Sequence, residues 1–480
     1  MKQAIKKVAL ALACAGGMAA TMQVEAANWL MLQGTERNAA AGRAKVWGFM
    51  QPTYIQTGGN SLPTGNPFSD SEDPQFEVIA PNLSNSKTFQ LMRARVGVRG
   101  TGMPIDPKVN YFIMWEGGNN GITGTGSGNG ALKLMDASIT LNHVKGMRVR
   151  LGQMKTPMGE ELYQGIPTFH YINMTNLANQ QMIERPFWTD GRTACNTGAA
   201  TALYQRYCNG DASTQFRSGS VGVRDLGIQL FDSFNTGGWE TSYAFLYGTG
   251  GTNMDNRDDK FDKTFYLSTE KVFKGKGPRR DGMKFYVWQK KGKRAIYDSA
   301  ILNTAGSTQK DAEVEFDRNL QGLGMTYQRG KYRLWAELTT VDGMLFNGST
   351  GGAVPGALHN NGLVVSQFLT APEGKGDGGY IDFGYKVMPN LELMVRYDWY
   401  NRLTNDGDDD GFGGTITEAN QRDYKTITYG AEYFFNKKSK LLVNYEVRSF
   451  ESPHEDGSAM ANLVADEMSN RFSAQVTHIF

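Results

Sequence analysis

The sequence predicts an all-β protein, a transmembrane antiparallel β-barrel of about sixteen strands. Three observations carry this. Apolar and polar residues alternate with period two in segment after segment, up to the last residue. In the final strand Phe472, Ala474, Val476, His478 and Phe480 share one face, and Arg471, Ser473, Gln475 and Thr477 the other. Such alternation suits a strand with lipid on one side and water on the other. The connections switch strictly between short turns and long polar loops, as in barrels with tight turns at one membrane face and long loops at the other. Beyond the amino-terminal segment no run approaches the roughly 18 apolar residues of a spanning helix. A chain that spans lipid without helices must close its sheet, so that no backbone group is left unpaired.

In order, the chain opens with Lys2, Lys6 and Lys7, an apolar stretch Val8 to Ala20, and Val24-Glu25-Ala26. That is the pattern of a signal peptide, with cleavage expected after Ala26, leaving 27–480 as the barrel. Only residues 27–42 precede the first strand, too few for a separate plug domain. Strands are expected at 43–56 and 87–100, with loop 57–86 between them. Gly102-Met103-Pro104 turns the chain into 107–116, and loop 117–131 leads to 132–142. His143-Val144-Lys145-Gly146 opens 146–155. After the long loop 156–221 come 222–233 and 239–249, around Asn235-Thr236-Gly237-Gly238, and then loop 250–261. Strands 262–274 and 281–291 flank the Gly275 to Gly282 turn. Past loop 292–316, 317–329 and 331–341 meet at Arg329-Gly330; past loop 342–377, 378–387 and 390–402 join through Met388-Pro389-Asn390. Past loop 403–422, 423–436 and 438–450 join through Asn436-Lys437-Lys438-Ser439, and loop 451–468 leads to 469–480. Each short connection is built from residues with turn chemistry.

The outward faces read as Leu391, Leu393, Val395, Tyr397 and Trp399, and as Ile427, Tyr429, Ala431, Tyr433 and Phe435. Their aromatic residues fall near strand ends, where interfacial girdles sit. Export plus a closed barrel places the protein in a cell outer membrane, with lipid as its surroundings. Nothing calls for a nucleic-acid partner. Removing residues 1–26 takes three of the 50 Lys and Arg and one of the 48 Asp and Glu, leaving 47 of each. Net charge is therefore silent about the sign of any cargo. Cys195 and Cys208 remain in one long loop, and in an oxidising compartment the simplest expectation is a loop-closing disulfide.

About sixteen strands leave an aqueous lumen, whereas about eight are filled by their own side chains. The inward phase of the second strand holds Arg93, Arg95, Gly97 and Arg99, against outward Met92, Ala94, Val96 and Val98. The fifth strand repeats this with Arg148 and Arg150 inward, Met147, Val149 and Leu151 outward, and Lys155 at its end. Guanidinium forks suit carboxylate and phosphate oxygens, and several along one wall make a stepped path for anions, as charged rings do in selective pores. Asp136, Glu392, Asp398, Glu432 and Glu446 also fall on inward phases, beside Arg396 and Arg448. The second reading is thus a set of cross-barrel ion pairs with little net selectivity. Loop 156–221 begins at Pro157, which ends a ladder, and contains Tyr163, Phe169, His170, Tyr171, Phe187 and Trp188. Loops so long and aromatic are usually functional. This one either folds inward to narrow the pore or forms a surface flap for a partner.

Asp406, Asp408 and Asp410 with Gly411 resemble the start of a calcium loop, although the closing carboxylate, Glu418, falls one residue past Thr417. An acidic loop tip without metal is the alternative, and no other cofactor is expected. Catalysis is not expected: His143 lies in a turn, His478 faces lipid, and His170, His359 and His454 lie in loops without a Ser-His-acid constellation. A receptor or scaffold barrel for an extracellular or periplasmic partner is the alternative from another class.

The segment Arg148-Val-Arg-Leu-Gly-Gln-Met-Lys-Thr-Pro-Met-Gly-Glu160 resembles the Arg-x-Gly-Gln-Phe-Lys-x-Pro-Phe-Gly type motif of the phosphate-selective porin O and P family, and Arg93-Ala-Arg-Val-Gly-Val-Arg-Gly100 is similar to that group's arginine-rich second strand. The resemblance implies a homotrimer of sixteen-stranded pores, an inward third loop and an arginine-lysine path for phosphate-like anions. Met154 and Met158 stand where the family has phenylalanine, and the lumen is more mixed in charge.

Overall fold

The computed structural model describes residues 28–32, 44–57, 87–102, 105–118, 120, 132–184, 222–250, 260–275, 277, 279–297, 313–347, 369–404, 421–451 and 470–480. Sixteen antiparallel strands close into one barrel, each paired with its sequence neighbours and the last with the first. They are β1 Lys45–Thr57, β2 Lys87–Gly102, β3 Asp106–Glu116, β4 Lys133–Val144, β5 Met147–Lys155, β6 Arg224–Thr236, β7 Trp239–Gly248 and β8 Asp262–Lys274. The second half comprises β9 Asp281–Tyr297, β10 Glu313–Arg329, β11 Tyr332–Asn347, β12 Leu369–Met388, β13 Leu391–Arg402, β14 Arg422–Phe434, β15 Ser439–Glu451 and β16 Arg471–Ile479.

Burial alternates along the strands as the sequence requires. In β13 Glu392, Met394, Arg396, Asp398 and Tyr400 are buried toward the lumen, while Leu393, Val395 and Tyr397 are exposed outward. An apolar exterior around a largely polar interior inverts the soluble pattern and matches a bilayer as solvent. The seam closes through β1 and β16, where Phe49 pairs with Ile479 and Thr53 with Gln475. The backbone N–H of Phe480 donates to the Gly48 carbonyl at 3.0 Å. Gly48 is required there, because a Cβ would lie 2.4 Å from the Phe480 ring.

Two departures from the sequence reading have physical causes. Met92 does not face outward. The β1–β2 register slips between Gln51, opposite Arg93, and Pro52, opposite Leu91, so Met92 is a bulge residue turned inside and 1% exposed. Pro52 cannot donate to a ladder, and a bulge beside it removes the need. Second, β9 to β12 extend well past the limits read from apolar alternation, to Tyr297, from Glu313, to Asn347 and from Leu369. Beyond the lipid both faces of a strand meet water, so pairing continues where the alternation has stopped.

Candidate functional site

The lumen is crossed by the first part of the long loop after β5. Lys155 ends the strand and turns its ammonium onto the loop, donating to the carbonyls of Leu162 (3.2 Å) and Gln164 (2.6 Å). Gly159 adopts φ 64°, and a Cβ there would stand 2.8 Å from Glu337 Oε1, so only glycine makes this entry turn. A short helix Glu160–Tyr163, a 3-10 turn Ile166–Thr168 and a π turn Ala178–Met182 follow, all packed inside the barrel.

The segment descends almost to the short-turn end and climbs back. On the way down the Glu160 N–H donates to Glu337 Oε2 at 2.9 Å, and Lys284 pairs with the Glu160 carboxylate. At the bottom Glu432, two residues from the end of β14, takes a two-pronged bond from Arg279 (2.6 Å each), one from Lys440 (2.8 Å) and a contact from His170 (3.3 Å). Arg279 and Lys440 also donate to the carbonyls of Thr168 and Phe169. On the way up the Tyr171 hydroxyl donates to Asp382 (2.6 Å), Asn173 to Glu446 (3.0 Å) and Ser473, and Asn176 to Asp398 (2.7 Å) and Thr426. Near the long-loop end Arg318 donates to the Gln181 carbonyl at 2.6 Å and Lys290 to Glu184 at 2.6 Å. The segment is thus laid mainly against the β9–β16 half of the wall, with Tyr163 reaching Arg150 and Gln229 on the other side and packing on Tyr266. The spaces left there, about 10 and 20 Å³, are water-sized.

The opposite half carries the basic residues read from the sequence. Arg93 is buried, with one nitrogen on Gln51 Oε1 at 3.0 Å. Arg95 pairs with Glu116 at 2.5 Å. Arg99 sits near the short-turn end of β2, opposite Lys45. Arg148 is held by Asp232 and by Asn142 at 2.9 Å. Arg150 reaches Gln229 at 2.9 Å and lies 4.2 Å from the Phe231 ring centre. Sequence reasoning missed Arg224, which opens β6 on Asp136 at 2.9 Å. Its inward phase is set only by strand pairing, because a long loop precedes it. Arg93, Arg95, Lys155 and Arg224 lie close enough to interact electrostatically, and Lys133 lies near Arg224. Nε and Nη2 of Arg93, and Nη2 of Arg95 and of Arg224, are buried without an acceptor among the described residues.

The inward acids are distributed differently. Glu392 pairs with Arg333 at 2.7 Å, Asp398 with Arg396 at 3.3 Å and Glu446 with Arg471 at 2.9 Å, all on the loop-bearing half. The acids therefore neutralise that side, while cations exceed acids on β2–β6. Donor atoms of His170, Glu392 and Glu432 lie within 4.8 Å of one another. Arg279, Arg333 and Lys440 already satisfy these carboxylates, so a metal ion would enter among three cations.

A further piece of chain enters the lumen from the amino-terminal side. Helix α1, Trp29–Leu32, stands between β5–β7 and the infolded loop. Asn28 donates to Glu240 at 2.8 Å and also bonds Ser242, Trp29 Nε1 donates to Glu160 at 2.8 Å, and Arg150 donates to the Leu30 carbonyl at 3.2 Å. Part of the stretch before β1 lies inside the barrel. Cys195, Cys208, Phe187, Trp188, Asp406, Asp408, Asp410 and the expected signal segment 1–26 all lie outside the described residues.

No family model matches the chain, and no curated protein does. Solved structures similar to it include a Salmonella typhi OmpF complex with daunomycin, at 12% identity and a TM-score of 0.48, covering 91% of this chain and 97% of that one. An anion-selective porin from Comamonas acidovorans is 12% identical at a TM-score of 0.46, covering 91% and 99%. The outer membrane channel DcaP of Acinetobacter baumannii is 13% identical at 0.45, covering 94% and 100%. By its own geometry, a closed sixteen-strand barrel with an apolar exterior and long loops at one end, the protein is an integral outer-membrane β-barrel.

Proposed function

We propose that the barrel is an outer-membrane porin that passes small hydrophilic solutes and prefers anions. The observation that carries the preference is the cation excess on β2–β6. Arg93, Arg95, Arg224, Lys133, Lys155, Arg148 and Arg150 stand there against Glu116, Asp136, Asp225 and Asp232, with guanidinium N–H groups of Arg93, Arg95 and Arg224 left unaccepted among the described residues. Buried polar groups are normally hydrogen-bonded, and a carboxylate or phosphate oxygen supplies the missing acceptors with fork geometry. The infolded segment 156–184 sets the width of the passage, and the loop-bearing half holds that segment in place. A homotrimer and a phosphate-like solute follow from the resemblance in Arg93–Gly100 and Arg148–Glu160.

Reversal potential under a salt gradient in a planar bilayer tests this. Anion selectivity is expected, with added phosphate reducing the current, and Arg93→Ala is expected to weaken the phosphate effect about tenfold, the loss of one charge-assisted contact. A cation-selective reversal sinks the anion preference. Absence of conductance favours a second reading, a receptor or scaffold barrel, to which the water-sized spaces beside the loop lend support.

A further inference from the structure

We infer that residues 28–32 are a built-in plug, an autoinhibitory ligand of Arg150. The inference rests on the anion-porin reading and concerns its regulation. Three observations carry it. The segment bridges the β5–β7 wall and the infolded loop. Asn28 holds Glu240 on β7, and Arg148 and Arg150 of β5 reach Met31 Sδ (3.8 Å) and the Leu30 carbonyl (3.2 Å). From the other side Trp29 bonds Glu160 of the infolded loop, and its ring lies against Gly165, where a Cβ would stand 3.3 Å away. Leu30 belongs to no strand, yet it is completely buried within the interior apolar cluster.

The third observation is chemical. The Leu30 carbonyl oxygen occupies the place on Arg150 Nη2 that an anion's oxygen would take. The thioether of Met31, a weak acceptor, faces Arg148 in the same way. The segment therefore excludes an anion from Arg150 Nη2, whereas Arg148 is already paired with Asp232 and gains only the thioether contact. It is bound through a handful of contacts and tethered to β1 through residues 33–44, so its release costs little covalent rearrangement and its local concentration stays high.

The test compares the full chain with a variant lacking residues 28–32 and with a Leu30→Lys variant, which keeps the chain length and sets a cation beside Arg150. All three are inserted into planar bilayers after their barrels are verified by heat-modifiable migration and strand circular dichroism. Expected are a larger single-channel conductance and a half-blocking phosphate concentration roughly tenfold lower in both variants, about 1.4 kcal/mol. A free peptide Ala-Asn-Trp-Leu-Met-Leu is expected to restore the smaller conductance of the deletion. If the full chain is anion-selective and both folded variants match it, the plug is overturned and the porin reading stands. If no form is anion-selective, the porin reading fails in its anion preference, and conductance alone decides the plug: a rise on deletion supports it, an unchanged value overturns it.

Discussion

Glu432 concentrates the energetics of the lumen in one side chain. It is fully buried and takes hydrogen bonds from Arg279 and Lys440, and His170 also contacts it. Its partners also carry the loop carbonyls of Thr168 and Phe169. Removing the acid leaves the buried Lys440 and the part-buried Arg279 without their shared carboxylate, and loss of one partner of a buried pair costs about 3–5 kcal/mol. Glu432→Ala is therefore expected to lower the thermal midpoint of the detergent-solubilised barrel and to open 165–171 to limited proteolysis. An unchanged midpoint with intact loop protection would show that the cluster is dispensable. This residue was legible as inward-facing from its phase in β14. Its partner Arg279 was not, because it comes from a short turn whose geometry alternation does not report.

At the scale of elements, the infolded loop is anchored through glycines in the wall. Tyr286 and Trp288 of β9 reach across β10 to Glu337 on β11, at 2.8 and 3.0 Å, and Glu337 in turn accepts the Glu160 N–H. They pass over Gly324 and Gly322, where a Cβ would stand 2.2 Å from the Tyr286 hydroxyl and 2.5 Å from Trp288 Nε1. Gly324→Val is expected to push the Tyr286 hydroxyl off Glu337, loosen the loop entry and raise open-channel current noise without changing the strand count by circular dichroism. A quiet channel would refute the anchor. The strands above the lipid give a second test. Glu315 lies beyond the roughly 9–11 residues that span a membrane from the short-turn end of β10. Hydrogen bonds from Lys260 and Lys293 hold its carboxyl below the ordinary glutamate range. A depressed carboxylate contributes order that is present above its unfolded pKa and lost as pH falls through its folded one. Amide exchange at 313–317 should thus quicken only below the usual carboxylate range; faster exchange already near neutrality contradicts the bond. Strand spans within the lipid were legible because lipid enforces alternation. The rise of β9–β12 beyond it, the Met92 bulge and the lodging of residues 28–32 were not, since each is decided by pairing or by tertiary contact.

For the whole molecule, a formal balance of charge conceals an axial separation. Lys45, Lys108, Lys145, Lys274, Arg329, Lys331, Lys437 and Lys438 are exposed at the short-turn end. No acid is fully exposed there among the described residues, Asp106 and Asp281 being partly covered. Acidic runs such as Asp408-Asp409-Asp410 belong to the long connections. A charged collar of this kind acts over about 30 Å at 0.01 M salt and about 3 Å at 1 M. Current–voltage curves of uniformly oriented channels are therefore expected to be asymmetric at low salt and to become symmetric at high salt; asymmetry that persists at 1 M would trace to pore shape instead.

The depth of the infolded loop also dictates an order in time. Its residues bond partners on β9 to β16, and Asn173 joins Glu446 on β15 to Ser473 on β16. Those strands are the last to leave the ribosome, and the seam they close is made with β1, the first. The loop cannot take its final seat until the last hairpin has been laid down, so an assembling chain carries its own filling as an unfinished, water-soaked strand of peptide. Completion of the wall and desolvation of the interior are then one late event.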